Sequence, residues 1–541
     1  MTTNAARLDP NRQPIDALMP LRRRMSVPPG RRIDVLIAGL LMLATFFVHD
    51  FRYVLSAPFW NDEFWVAIST KLPLSDLLRV TSSSPPGWTL LLRWVPFGYP
   101  ERIRIVPLIF AAFTVVAAYV YARTLPWPSA LLQRLAGTLA GVAALLVPSA
   151  LIRNDLKQYT TDAFVTLVTL WLVSRAEHSW SRPEWSRRLI QLAVFISVAF
   201  FFSTAAILVG AAALGSVLLA VLLRCDWPKL LATLVVSSAC AACLVGTYLV
   251  VYRPGAPPGL TQYWSDYYMP VAGGAGASWD FFVRAQQRLV NVLGLGPVLI
   301  VVALLTAGVT TLVLLHRIAC ALLVPILVMI LVAASAARQY PLFDVRTSHF
   351  LAVAVVVTAA VGGAGICTFV SRRHAAIGVA AAVCMVCLFV TGTAVRTNIR
   401  SHSIPAEDLG TPTAYIATHA QPGDTVVVAM ISSWGFAYYW PRGEPGIAPV
   451  TSNLQQFITV FPDQPNILVA QDGERAGIDD ALSRAVARAT GPDGNGRIWF
   501  VHVHVRPAEL AQYRAWVASR GVQSAAAIPP SLELLTVLST P

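Results

Sequence analysis

Long apolar stretches recur along most of this 541-residue chain, and they constrain its fold more than any other feature. About 20 apolar residues cross a bilayer as a helix. Stretches of this kind lie near residues 33–50, 104–122, 132–151, 160–176, 189–204, 205–223, 230–252, 289–314, 318–336, 348–370 and 374–395. Only 13% of the residues are charged, whereas a soluble protein has about a quarter. The sequence therefore predicts a polytopic α-helical membrane protein with about 11 transmembrane helices.

The basic residues indicate how these helices are oriented. Five arginines precede the first span, at positions 22, 23, 24, 31 and 32, and the positive-inside rule then places the N-terminus in the cytoplasm. We expect a cytoplasmic basic tail (1–32), a transmembrane module (33–395) with a first outer loop at 51–103, and an extracytoplasmic domain (396–541). The expected location is the plasma (inner) membrane. The net charge of +13 is scattered over short loops, which fits anionic lipid rather than nucleic acid.

The polar C-terminal part has a different pattern. Short apolar runs at 424–430, 466–470, 497–505 and 532–538 predict strands, and helical patterns lie between them near 411–419, 478–489 and 507–520. Alternating strands and helices predict a small α/β domain with a largely parallel sheet. Nucleotide binding is not expected there, because no glycine-rich phosphate loop follows any of these strands.

Two adjacent carboxylates, Asp62 and Glu63, follow the first span within an aromatic segment. Such a pair is costly to desolvate at a membrane surface, and a carboxylate is also what a reaction needs to take a proton from a hydroxyl. The alternative interpretation is an acidic pair that caps the N-terminus of an interfacial helix. The half-apolar segments 62–79 and 86–98 are too short to span and read as such interfacial helices.

Cations also occur on the predicted outer side, where the positive-inside rule disfavours them. Arg153 and Lys157 are spaced to share one helix face at the outer end of the third span, and Asp162 follows them. Arg346 lies in the loop between the ninth and tenth spans. Cations in these positions favour an anionic partner such as a lipid-linked phosphate. Solvated loop charges are the alternative interpretation.

Four motifs in this order resemble the GT-C superfamily of integral membrane glycosyltransferases. After the acidic pair come Pro85-Pro86-Gly87-Trp88-Thr89-Leu90-Leu91, Glu101-Arg102-Ile103-Arg104, Lys157-Gln158-Tyr159-Thr160-Thr161-Asp162, and a loop from Tyr340-Pro341 to Arg346. The chain looks in particular like bacterial proteins similar to dolichyl-phosphate-mannose protein mannosyltransferases and to the lipid A aminoarabinose transferase. The resemblance covers about residues 33–400.

This resemblance implies an enzyme that moves a sugar from a polyprenyl-phosphate donor to a glycan, glycolipid or protein acceptor at the outer face, with inversion. It implies that Asp62 or Glu63 is the general base, with Asp62 preferred. The residues implied to bind the donor phosphate or shape the sugar site are Arg153, Lys157, Tyr159, Asp162, Tyr340 and Arg346. No metal and no cofactor besides the lipid-linked sugar are expected. Ser84 departs from the family, in which a histidine often precedes the two prolines.

Two other functions are compatible with a chain of this kind. A transporter or flippase of a lipid-linked envelope precursor has about as many spans, but it needs ionisable groups or broken helices near the midplane. The predicted spans are nearly free of such charges. A structural protein would leave the acidic pair and Lys157 without a role. The sugar, the acceptor and the choice between the two carboxylates stay open at this stage.

Overall fold

The computed structural model describes residues 31–95, 100–147, 156–256, 260–371, 378–379, 381–388, 407–449, 457–470, 475–505, 507–520, 522–525, 529 and 532–537. Fifteen α-helices precede residue 372 in this part of the chain. They are Arg31–Val48 (α1), Phe51–Val54 (α2), Asn61–Ser69 (α3), Pro86–Arg93 (α4), Ile105–Thr124 (α5), Ala130–Leu146 (α6), Tyr159–His178 (α7), Trp185–Ala199 (α8), Ala206–Leu223 (α9), Trp227–Thr247 (α10), Leu260–Tyr263 (α11), Gly274–Leu293 (α12), Val298–Leu314 (α13), Ile318–Ala336 (α14) and His349–Ser371 (α15).

The apolar helices show that this is a multi-pass membrane protein. Five helical segments among the described residues are long and apolar enough to cross a membrane, namely Glu101–Thr124, Ala206–Leu223, Trp227–Gly255, Ile318–Ala336 and His349–Ser371. A sixth arises if Val271–Leu293 and Val298–Leu314, which meet at 80°, form one broken span. The helices α1, α6, α7 and α8 coincide with four further predicted spans but do not pass this test. Only residues 378–379 and 381–388 of the predicted span 374–395 are described, so the number eleven stays a prediction.

The helices differ in where they lie within the bundle. Helix α15 is central, because 89% of the residues in its most apolar stretch are buried. In the segment that contains α10, only 17% of the corresponding residues are buried. The outward side chains of α10 are apolar, with Val235 and Val245 both more than half exposed. An exposed apolar helix face of this kind is suited to lipid contact. The bundle therefore has a protein core around α15 and an apolar perimeter.

The C-terminal region is an α/β unit, as predicted. Its helices are Gly410–His419 (α16), Ser433–Tyr439 (α17), Arg475–Ala489 (α18) and Pro507–Ser519 (α19). Its strands are Thr425–Val428 (β1), Gly446–Pro449 (β2), Phe457–Val460 (β3), Ile467–Val469 (β4), Arg497–Val501 (β5), Val522–Ala525 (β6) and Leu532–Val537 (β7). The main sheet has the order β4-β1-β5-β7-β6, and β2 and β3 form a separate antiparallel pair.

The main sheet is mixed rather than largely parallel. Strand β1 pairs in parallel with β4 and β5, whereas β7 runs antiparallel to both β5 and β6. Only residues 526–531 connect β6 to β7, and a connection this short cannot make the crossover that a parallel pair requires. Because β1 and β5 run in parallel, their carboxyl ends lie at the same edge of the sheet, which is where open α/β sheets commonly place ligands.

That edge of the sheet packs on the first outer loop. Trp65 on α3 stacks on Trp434 on α17, with ring centroids 5.5 Å apart, and Phe64 contacts the ring of Tyr439 edge-on. The Tyr439 hydroxyl also donates to Glu101 at 2.7 Å. Side chains from the outer loop and the C-terminal region thus share one buried apolar cluster. Helix α3 is therefore covered by protein on this side, and α4 buries Trp88 completely.

Candidate active site

A cavity of about 640 Å³ lies where the C-terminal region meets the outer loops of the helical bundle. Its wall combines hydroxyl, aromatic and charged side chains. They are Asn61, Asp62, Trp65, Thr81, Ser82, Ser83, Ser84, Pro85, Lys157, Gln158, Tyr159, Thr204, Tyr263, Trp264, Tyr340, Arg346, Thr347, Ile431, Trp434, His504, Val505 and Pro507. Aromatic faces with convergent polar groups are typical of a small-molecule site.

The carboxylate of Asp62 in the cavity wall lies close to two cations. Arg346 Nη1 lies 2.5 Å from Asp62 Oδ2, and Lys157 Nζ lies 4.0 Å from the same oxygen. These three side chains are only 15–22% exposed. Both cations also lie over indole rings, Lys157 over Trp65 and Arg346 over Trp60. A carboxylate and two cations therefore converge at one place, although Lys157 and Arg346 are far apart in sequence.

The surroundings of Asp62 keep it ionised. Burial in the cavity wall would raise the pKa of its carboxyl, but the charges of Lys157 and Arg346 and the hydrogen bond from Arg346 outweigh this effect. The charge of His504 adds to the lowering. The net result is a pKa below the usual value, so Asp62 is a carboxylate at neutral pH. It can accept a proton only after part of this positive charge has another partner.

A tight turn presents Arg346 to the cavity. The Asp344 carboxylate accepts hydrogen bonds from the backbone N–H groups of Arg346 and Thr347, at 3.2 and 2.9 Å, and from the Thr347 hydroxyl. The Tyr340 hydroxyl donates to the Thr347 carbonyl at 2.7 Å, which ties both ends of the loop together. Aspartate side chains commonly bond to the backbone two residues on and fix turns in this way. Arg346 thus extends from a rigid support.

Lys157 lies just before α7, and its neighbours are also anchored. The Trp88 indole N–H donates to the Leu156 carbonyl at 2.6 Å, which connects α4 to this segment. Gln158 donates to the Thr204 hydroxyl at 3.0 Å, and both line the cavity. Asp162 lies one helical turn after Gln158 on α7 and does not line the cavity. Its carboxylate accepts from the Ser203 hydroxyl at 2.5 Å, so Asp162 holds the 203–205 segment that carries Thr204.

The second carboxylate of the acidic pair points away from the cavity. Glu63 is fully buried and accepts two hydrogen bonds from Arg104, at 2.6 Å from Nε and 2.5 Å from Nη2. Arg104 also donates to the carbonyls of Val54, Ala57 and Pro58. Glu63 Oε2 in addition accepts a hydrogen bond from the Trp60 N–H at 3.2 Å, and this contact caps the N-terminus of α3. Glu63 therefore fastens the loop that carries Asp62, and it does not line the cavity.

The structure brings together most of the residues that the sequence singles out. Asp62, Lys157, Tyr159, Tyr340 and Arg346 all line the cavity. Glu63 and Asp162 lie behind its wall, each bonded to a neighbouring segment. Arg153 lies outside the described residues. The functional roles assigned to all eight residues stay predictions.

Several cavity residues are not among the candidate site residues that the sequence indicates. Gln158 and Thr204 pair across two loops, and His504 and Trp434 come from the C-terminal region. One signal could have identified the last two: His504 follows the carboxyl end of β5 and Trp434 follows that of β1, which is where parallel sheets place ligand contacts. Pairing between distant loops has no such signal.

The side chains near Ser84 form hydroxyl contacts. The hydroxyl oxygens of Ser84 and Thr89 are 2.7 Å apart, and those of Ser69 and Ser83 are 2.9 Å apart. Across the described part of the chain, no three His, Cys, Asp or Glu side chains converge as metal ligands would. The expectation that the reaction uses no metal and no cofactor stays untested.

The fold can be compared with known structures. An oligosaccharyltransferase from Archaeoglobus fulgidus superposes with a TM-score of 0.52 at 11% identity, over 89% of this chain and 69% of that one. The oligosaccharyltransferase AglB from the same organism, in complex with an inhibitory peptide and a dolichol-phosphate, superposes with a TM-score of 0.51 at 10% identity, over 91% of this chain and 73% of that one. ArnT from Cupriavidus metallidurans, bound to undecaprenyl phosphate, superposes with a TM-score of 0.49 at 13% identity, over 94% of this chain and 98% of that one.

The first two superpositions show that this chain shares the fold of the oligosaccharyltransferase structures, in agreement with the GT-C fold that the motifs indicate. The likeness concerns the fold, because the identities are between 10% and 13%. The sequence itself matches no protein-family model and no curated protein.

Proposed function

We propose that this chain is a membrane glycosyltransferase that moves a sugar from a polyprenyl-phosphate donor to a cell-envelope acceptor at the outer face of the membrane. The observation that carries this proposal is the position of Asp62 between Arg346 and Lys157 in an aromatic-walled cavity of a GT-C fold. This reaction needs a base for the acceptor hydroxyl and cations for the phosphate that departs. Both are present within one cavity.

Asp62 acts as the general base in a direct displacement. The acceptor oxygen forms a bond to the anomeric carbon while the bond from that carbon to the phosphate oxygen breaks, and the acceptor proton passes to Asp62. One displacement inverts the configuration at the anomeric carbon. A positioned base contributes typically ~10²–10⁴-fold to the rate. Glu63 serves this step indirectly, since its buried pair with Arg104 fixes the start of α3 and therefore the place of Asp62.

Arg346 and Lys157 serve both the base and the leaving group. Without donor, their charge lowers the pKa of Asp62. A donor phosphate that enters the cavity engages these cations, so their effect on Asp62 is partly cancelled and its basicity rises as the donor binds. The guanidinium carries five N–H donors and can hold a carboxylate and a phosphate at once. As the phosphate oxygen departs, the same cations stabilise the charge that grows on it. Arg153 is the third candidate for this role.

Further support comes from the surroundings of these groups and from the fold comparison. Tyr159 and Tyr340 belong to the cavity wall and are suited to shape a sugar site. AglB, which shares the fold, is known with a dolichol-phosphate and a peptide bound. A polyprenyl phosphate is chemically of the same kind as dolichol-phosphate, so the donor class proposed here is one that a GT-C protein holds.

The proposal is tested with purified protein in proteoliposomes and a panel of labelled polyprenyl-phosphate sugars that includes arabinose, mannose and glucose. Thin-layer chromatography then follows the release of the sugar from its lipid and its appearance on an acceptor. We expect at least one donor to be consumed with covalent transfer or slow hydrolysis. If the label crosses the bilayer while it stays attached to its lipid, the chain is a transporter and the proposal is wrong.

A further inference from the structure

A histidine–carboxylate pair stands on the C-terminal side of the cavity, opposite the helical bundle. His504 lines the cavity, and its Nδ1 lies 2.6 Å from Glu407 Oε1. About half of the His504 side chain is exposed, whereas Glu407 is mostly covered. Neither residue belongs to the phosphate-binding side, which the bundle supplies through Lys157 and Arg346.

The pair fixes the ring orientation of His504. An ionised carboxylate can only accept hydrogen bonds, so His504 Nδ1 carries a proton and donates it to Glu407. In the neutral ring this leaves the lone pair on Nε2. The second oxygen of Glu407 accepts from the Asn61 N–H at 2.9 Å, and Asn61 directly precedes Asp62. One carboxylate thus ties His504 to the start of the helix that carries the base.

The backbone around His504 is held in an uncommon conformation. His504 has a φ of 57°, in the left-handed region that few residues other than glycine adopt. The preceding residue is anchored to the turn after β1, because the Val503 N–H donates to the Ser432 hydroxyl at 2.7 Å and that hydroxyl donates to the Val503 carbonyl. These contacts of the neighbouring residue hold His504 in this conformation.

We propose that His504, oriented by Glu407, is the acceptor-binding residue of this cavity. Its Nε2 forms a hydrogen bond with a hydroxyl of the incoming acceptor, accepting it when the ring is neutral and donating it when the ring is protonated, and so holds that acceptor over Asp62. The C-terminal region thereby completes the site, with the donor phosphate on the bundle side and the acceptor on the side of the mixed sheet. This inference rests on the proposed function and adds to it the group that recognises the second substrate.

The test separates acceptor binding from donor chemistry. Donor hydrolysis, in which water replaces the acceptor, is compared with transfer to a membrane-lipid extract and to a wall-glycan extract, each titrated separately. Binding of undecaprenyl phosphate is measured in parallel. For His504→Ala we expect the apparent KM for the productive extract to rise about tenfold, the loss of one well-oriented hydrogen bond. Hydrolysis and undecaprenyl phosphate binding should change by a clearly smaller factor than this KM, because His504 supplies only the smallest part of the charge that lowers the pKa of Asp62.

Three further variants sharpen the result. Glu407→Gln should raise the same KM by a smaller factor, because it loosens the ring without removing it, and His504→Gln should restore part of the loss. The matched control is His502→Gln. His502 Nε2 lies 3.3 Å from Oε1 of another glutamate, Glu533, but His502 does not line the cavity. This control should behave as wild type.

Two outcomes would overturn the inference. One is an unchanged acceptor KM in His504→Ala, and the other is an equal fall of hydrolysis and transfer, which would mean that His504 acts on Asp62 rather than on the acceptor. Failure of the proposed function gives a different result, since wild type itself would then neither hydrolyse nor transfer the donor sugar.

Discussion

Glu63 and Arg104 form a fully buried ion pair with two hydrogen bonds, one residue away from the carboxylate that lines the cavity. Arg104 also donates to three backbone carbonyls between the end of α2 and the start of α3. The adjacent acids therefore have different surroundings, since Asp62 faces two cations in a cavity and Glu63 closes a structural network. This difference makes the two positions separable by mutation.

Removal of either partner of the buried pair should destabilise the protein strongly. An unpaired buried charge costs about 3–5 kcal/mol. We expect Arg104→Ala to lower the melting temperature in detergent more than Glu63→Gln does, because it also leaves the three loop carbonyls without a donor. The control is Asp76→Asn, which breaks the exposed pair with Arg79 and should cost less than about 1 kcal/mol. A melting temperature of Arg104→Ala equal to that of the control would refute the structural role.

Phosphate binding should respond in opposite directions to changes around Asp62. Arg346→Ala and Lys157→Ala remove cations, so the affinity for undecaprenyl phosphate should fall about tenfold or more in each. Asp62→Asn removes the carboxylate that competes for those cations, so the affinity should rise. Arg79→Ala, in the exposed ion pair of the outer loop, is the matched control. Weaker binding in Asp62→Asn would contradict the exchange of cations between the base and the phosphate.

The pH profile should report the charge around Asp62. Its lowered pKa means that the ion pairs contribute stability above the unfolded value of about 3.9, and this contribution is lost as the pH falls through the lower folded value. In Arg346→Gln one of the lowering charges is gone while burial still raises the pKa. The acidic limb of kcat/KM should therefore move to higher pH than in wild type. An unchanged acidic limb would show that Asp62 is not the group that titrates.

The glycine that follows the two prolines should tolerate no side chain. The Gly87 N–H donates to the Phe201 carbonyl at 2.8 Å, and a Cβ at Gly87 would lie 2.6 Å from the same oxygen. Gly87→Ala should push α4 away from the 201–204 segment, which carries Thr204, and should lower both melting temperature and transfer. Gly246→Ala is the control, because a Cβ there meets no atom within 4 Å. Wild-type behaviour of Gly87→Ala would argue against this close contact.

Much of the site follows from the sequence for identifiable reasons. Asp62, Lys157 and Arg346 are charges at the ends of apolar spans, and spans of consistent topology gather such ends on one side of the membrane. The same logic places Tyr159 and Tyr340 nearby. The strands β1, β4, β5 and β7 are apolar runs between turn residues, so the sequence predicts them within a few positions.

The remainder depends on contacts that no local pattern records. Consecutive residues on a helix point about 100° apart, so which of two adjacent acids faces a cavity is decided by partners elsewhere in the chain. Glu63 is held by hydrogen bonds from Arg104, which lies 41 positions further along the chain. Asp162 is held in the same way by Ser203. The contribution of His504 depends on how the C-terminal region docks on α3. That docking is a property of the whole apolar cluster and not of one segment.

The most direct test of the account is the initial rate of sugar transfer by Asp62→Asn at saturating donor. Asp76→Asn in the same outer loop is the control, and undecaprenyl phosphate binding shows that the cavity is intact. The account predicts that Asp62→Asn loses about 10²–10⁴-fold in rate while it still binds the lipid phosphate, and that the control keeps the wild-type rate. An Asp62→Asn rate within twofold of wild type would contradict the assignment of Asp62 as the base.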